Sequence, residues 1–219
     1  MTRNLQRLIS GGFVVLGYNK YMEKDVRQAL DDIDTVNPFA TYLSDSTLSR
    51  VGGWIDTGSY VLNAIVSGSI HGGIPKGRVT MLAGESMTGK SLFVMKILAS
   101  AQKEGLIPVI FDTENAIDPE GAERLGLDVK NVKYVPCISI EQTRNALYKF
   151  LTTVKEKKLE GKFIIAIDSL GNLQSELSLA RMGKDNTSTD MGTNARAMKS
   201  LMQTCTNLGA VTQTTILCT

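Results

Sequence analysis

The chain has 219 residues, 42% of them apolar, with 24 basic against 22 acidic side chains and a net charge of +2. That supports one core with a small appendage, and the charge is too balanced to announce a nucleic-acid binder, although a local basic strip can suffice. No apolar run approaches the ~20 residues of a membrane span, and Arg3 and Arg7 precede only a short apolar stretch, less than a signal peptide needs.

Residues 1–50 read as an N-terminal extension: a helix over 21–30, broken by Asp31-Asp32-Ile33-Asp34 and Asn37-Pro38, then a polar linker over 44–53. From Trp54 the pattern becomes regular, and residues 51–219 read as one core. Asp56-Thr57 is expected to cap a helix through Tyr60, Leu62 and Ile65. The chain then passes His71-Gly72-Gly73 into a short strand over 78–83. His71, the only histidine, reads as a loop residue.

Next comes Gly84-Glu85-Ser86-Met87-Thr88-Gly89-Lys90-Ser91, which satisfies G-x-x-x-x-G-K-[S/T], between a buried strand and an apolar helix. Glycines let backbone amides turn toward phosphate oxygens, and the helix start adds partial positive charge. Lys90 is expected to reach the terminal phosphates of a nucleotide and Ser91 to hold Mg2+.

A strand over 107–112 follows, then a short helix opened by Asp118-Pro119 and a strand over 132–135. Ser139-Ile140-Glu141-Gln142 is a capping box that starts a helix to about Lys157. Phe163-Ile164-Ile165-Ala166-Ile167 is a buried strand that ends in Asp168, where a parallel sheet has its ligand-binding edge. Asp168 is therefore a candidate for orienting Mg2+ beside Ser91. Glu114 follows its strand to the same edge and is a candidate general base, with Asp112 as competitor. Asp118 reads equally as a helix cap or a nucleotide contact.

Residues 174–193 read as a flexible loop, with Ser175, Arg181, Gly183, Lys184, Asn186, Thr187 and Ser188 as candidate phosphate-backbone contacts. Arg196 and Lys199, on one face of a helix over 194–207, would extend a basic strip. A last strand spans 214–219. Strands alternating with helices imply an α/β fold with a parallel sheet between two helical layers. Cys137, Cys205 and Cys218 form no CxxC and no zinc spacing, which points to a reducing compartment.

Together these residues resemble the RecA-type recombinases, and most closely their phage, UvsX-like branch. The resemblance is dense in Trp54-Ile55-Asp56-Thr57-Gly58-Ser59, Gly72-Gly73-Ile74-Pro75-Lys76-Gly77-Arg78, the 84–91 loop, Phe111-Asp112-Thr113-Glu114-Asn115-Ala116-Ile117-Asp118-Pro119 and Ile167-Asp168-Ser169-Leu170-Gly171-Asn172-Leu173. It implies a three-layer P-loop NTPase core that uses ATP and Mg2+. Glu114 and Lys90 would be catalytic, residues 84–91 and Asp118 would bind nucleotide, and Ser91 and Asp168 would hold the metal.

It further implies a DNA-dependent ATPase that forms filaments on single-stranded DNA and exchanges strands with a homologous duplex. Residues 20–30 would dock one subunit on the next, and residues 174–193 would be the first DNA-binding loop. Recombination mediators and single-strand-binding proteins are the implied partners, and the cytoplasm of a phage-infected bacterium the implied setting. Gly121 stands where bacterial relatives place an aromatic against the base. The second DNA-binding loop and the polar ATP-sensing position would fall beyond Thr219, so the sequence reads as a truncated recombinase. The alternatives are a nucleotide-binding module without turnover and a helicase-like ATPase of the same superfamily.

Overall fold

In a computed structural model, the structure describes residues 24–37, 39–46, 50–182 and 191–219. The chain divides into two compact units, 1–49 and 50–219. The first holds helix α1 (Lys24–Val36). The helix passes straight through Asp31-Asp32-Ile33-Asp34, where a break was expected, because the next signal that stops a helix is Asn37. Leu30, Ile33 and Val36 stand exposed on it.

The second unit opens with a two-stranded antiparallel ribbon, β1 (Trp54–Ile55) and β2 (Ile74–Pro75), around helix α2 (Tyr60–Ser67). Gly73 has φ 137°, and a Cβ there would lie 2.0 Å from the carbonyl oxygen of Ile55, so only glycine lets the two strands approach. The cap of α2 is Ser59, whose hydroxyl accepts from the Leu62 amide at 3.4 Å, and not Asp56-Thr57 as expected. Asp56 instead accepts from Gly58 N at 3.0 Å and Asn63 Nδ2 at 2.7 Å. The Asn63 bond, then the Gly58 bond, holds its carboxyl below the usual range. The buried Asn63 returns the favour, accepting from both the amide and the hydroxyl of Thr57.

The remaining strands form one five-stranded parallel sheet: β3 (Val79–Met81), β4 (Ile107–Asp112), β5 (Lys133–Pro136), β6 (Phe163–Asp168) and β7 (Thr215–Cys218). Their spatial order is β3-β7-β6-β4-β5. Thus β7 separates the strand before the 84–91 loop from the strand that ends in Asp168. The crossovers carry α3 (Lys90–Lys103), α4 (Pro119–Arg124), α5 (Ile140–Glu156), α6 (Glu176–Met182) and α7 (Met191–Val211).

Alternation along the strands splits the core in two. Ile110, Ile164, Ala166 and Leu217 pack with Val94, Ile97 and Leu98 of α3. Val109, Phe111, Ile165, Ile167 and Ile216 pack with Leu147 and Leu151 of α5 and Leu201 of α7. This is the three-layer α/β arrangement with a buried parallel sheet. All three cysteines are free and buried in the second cluster, and burial pushes the thiols of Cys205 and Cys218 up to about 12.

Residues 174–193 are not wholly loop: α6 lies inside them. The Ser178 amide donates to the Ser175 hydroxyl at 3.2 Å, and Asn194 Oδ1 accepts from Ser175 N at 3.0 Å and Ser178 Oγ at 2.9 Å. A side-chain cap and an anchor from α7 therefore start a helix that composition alone concealed. Gly183, Lys184, Asn186, Thr187 and Ser188 lie outside the described residues, as do residues 1–23. Among the described residues, no helix is long and apolar enough to cross a membrane.

Candidate functional site

Parallel pairing puts the ends of β4 and β6 in register, with Asp112 opposite Asp168. Two acidic strand ends therefore meet at the carboxyl edge of the sheet, where loops can build a site. A cavity of about 360 Å3 opens there, lined by Ser91, Asp112, Glu114, Asp118 and Asp168, with Met95, Ile117 and Leu125 among its apolar walls. Residues far apart in sequence are thus gathered in one place.

The 84–91 loop joins β3 to α3. Gly89 caps α3 at φ 86°, a left-handed conformation that favours glycine, and makes no side-chain cap bond. Among the described residues, no side-chain cap bond is made to the first amides of α3. Met87 is also left-handed, with φ 65°, and fully exposed at the loop tip. The Thr88 hydroxyl donates to Glu85 O at 2.8 Å. Lys90 Nζ donates to Gly84 O at 2.9 Å and Glu85 O at 2.7 Å, so the ammonium lies over the loop.

Asp112 is buried and accepts three hydrogen bonds. Its Oδ1 accepts from the amides of Glu114 and Asn115, both at 2.9 Å, and its Oδ2 from the Tyr134 hydroxyl at 3.0 Å. It fixes the turn that presents Glu114. Burial, then the bond to Asp112, raises the Tyr134 phenol. Glu114 itself is exposed, and its Oε1 accepts from the Ser169 hydroxyl at 2.9 Å.

Asp118 is the cap of α4: its carboxylate accepts from Glu120 N at 3.1 Å and Gly121 N at 2.9 Å. Arg124 stands 3.4 Å from the same carboxylate. A Cβ on Gly121 would lie 2.7 Å from Asp118 Oδ2, so the missing side chain makes room for the cap.

Asp168 is buried, and its Oδ1 accepts from the Thr219 hydroxyl at 2.5 Å. The peptide after it is cis. One hydroxyl (Ser91) and one carboxylate (Asp168) line the same cavity, a donor set that suits a hard cation taking most of its ligands from water and phosphate. Among the described residues there is no cluster of three or more His, Cys, Asp or Glu for a metal.

Three participants escaped the sequence reading: Tyr134, Ser169 and Thr113 in its bonding role. Ser169 had a signal, since it directly follows Asp168 at the strand end. Tyr134 had none, because only the pairing of β4 with β5 brings it to Asp112. Arg196 and Lys199 are exposed on α7.

Residues 24–218 match the RecA N-terminal domain. Protein RecA of Chlorobium chlorochromatii is 34% identical over 166 residues, covering 75% of this chain and 42% of that protein. Protein RecA of Aquifex aeolicus is 33% identical over 130 residues, covering 59% of this chain and 37% of that protein. The chain thus spans about two fifths of the length of the curated relatives it matches. With the domain match running through β3, the 84–91 loop and the paired ends of β4 and β6, the chain belongs to the RecA family.

Proposed function

We propose that this chain is the ATPase core of a DNA recombinase, which forms filaments on single-stranded DNA and promotes exchange with a homologous duplex. The observation that carries the reading is the convergence of Ser91, Glu114, Asp118 and Asp168 on one cavity, in a chain that matches the RecA N-terminal domain.

In this reading the amides of residues 84–91 and the start of α3 bind the ATP phosphates, and Lys90 swings from its loop carbonyls to the terminal phosphates. Ser91 and Asp168 hold Mg2+, which when bound offsets charge on the phosphate oxygens. Asp112 and Tyr134 hold the turn that aims Glu114. Glu114 takes the proton of the attacking water, whose oxygen displaces ADP in line at phosphorus. Asp118 caps α4 and offers its outer edge to the base.

DNA contact is assigned to the segment around α6, with Arg196 and Lys199 extending it. The exposed Leu30, Ile33 and Val36 of α1 give a second copy a surface on which to dock. The run from Asp168 to Leu173 supports the phage branch; the relatives named above are bacterial. Mediator and single-strand-binding partners follow from the same reading.

The test is ATP hydrolysis by this chain with and without single-stranded DNA, alongside Glu114→Gln. Stimulated turnover that falls at least ~100-fold in Glu114→Gln, with ATP binding retained, is expected. ATP binding without turnover would make the chain a nucleotide-binding module instead.

A further inference from the structure

We propose that Ser169 is a positioning residue for Glu114, and that Thr113 holds Ser169 in place to do it. This rests on the reading of Glu114 as the general base.

Asp112 fixes only the backbone of residue 114. The glutamate side chain beyond it is exposed, and a free glutamate spreads over many rotamers. Among the described residues, the single hydrogen bond to its carboxylate comes from Ser169 Oγ, at 2.9 Å on Oε1. That donor is itself rigid. Thr113 Oγ1 donates to Ser169 O at 2.8 Å and accepts from Ser169 N at 2.9 Å. The Thr113 amide donates to Asp168 O at 2.9 Å, and the Leu170 amide to Thr219 O at 2.8 Å. The serine is thus flanked by a backbone bond to the residue after β4 on one side and by a backbone bond to the residue after β7 on the other.

A bland role for Ser169 is available and is not the one taken. It stands at the cap position of a short 3-10 turn, Leu170–Asn172, yet its hydroxyl makes no cap bond there. The hydroxyl is turned to Glu114 instead. With Oε1 held by Ser169, Oε2 remains to accept a proton from water. A base oriented by a third group is a recurring catalytic arrangement.

Two measurements test the proposal. In steady-state hydrolysis, Ser169→Ala should lower kcat about tenfold, leave ATP affinity and KM unchanged, and be largely rescued by Ser169→Thr. In nucleotide-free thermal unfolding, Ser169→Ala and Glu114→Ala should be coupled, with the double variant melting about 2 °C above the additive expectation. Additive melting shifts would overturn the proposal. So would a Ser169→Ala variant that loses ATP affinity and keeps its kcat. Full turnover by Glu114→Gln would overturn the general-base reading as well. Additive melting beside an inactive Glu114→Gln would remove the Ser169 role alone. In a chain with no measurable turnover, the melting cycle decides by itself.

Discussion

After β4, side chains tie the backbone down at each bend. Asp112 takes the amides of residues 114 and 115, Thr113 brackets Ser169, and Asp118 takes the amides of residues 120 and 121. After β3, at the same edge of the sheet, the loop makes few such bonds. Its tip is a fully exposed Met87, its helix begins at an uncapped glycine, and its lysine rests on its own loop's carbonyls. The first segment fixes geometry in advance, which is what a group that must meet a water at one angle requires. The second keeps backbone donors accessible, which is what recognition of an anion requires.

The contrast gives three expectations, from the largest effect down. Lys90→Ala should abolish ATP binding while leaving the melting temperature nearly unchanged, because among the described residues Lys90 bonds to carbonyls of its own loop. Nucleotide titration and thermal melting read the two effects, and retained affinity would break the assignment of the 84–91 loop.

Asp112→Ala should do the reverse, acting first on stability. It leaves two backbone amides without their acceptor beside a buried site, while the Tyr134 hydroxyl keeps Asn115 Oδ1, a loss of about 3 kcal/mol in denaturant unfolding. A loss below ~1 kcal/mol would mean that the turn before Glu114 holds without it.

Asp118→Ala removes the cap of α4 and should cost about 1 kcal/mol, whereas Asp118→Asn keeps a cap acceptor and should be near neutral. ATP affinity of the Asn variant then sharpens the comparison. A several-fold loss without destabilisation would show that Asp118 serves the ligand as well as the helix.

Three segments differ from the expectation drawn from local sequence, each for its own physical reason. Asp31 to Asp34 looked like a helix break because acidic runs favour turns, yet α1 continues through them as an exposed, polar stretch. Asp56 looked like a helix cap from its position before residues 60–66. The buried Asn63 takes Thr57 and Asp56 into its own network and leaves Ser59 to cap α2. Residues 174–182 looked like loop because polar composition hides a helix whose start is tied to Asn194, far along the chain.

The alternation of strands and helices, the G-x-x-x-x-G-K-S loop and the acidic ends of two apolar strands were legible from the residues alone. These are local signals, written as residue periodicity and spacing. Which partner each carboxylate meets was settled by contacts between distant segments. Parallel register sets Asp112 opposite Asp168, β5 brings Tyr134 to Asp112, and the β6 end brings Ser169 to Glu114. Such pairings join residues up to 56 positions apart in the chain, and a hydrogen bond depends on distance in space, which local spacing does not encode.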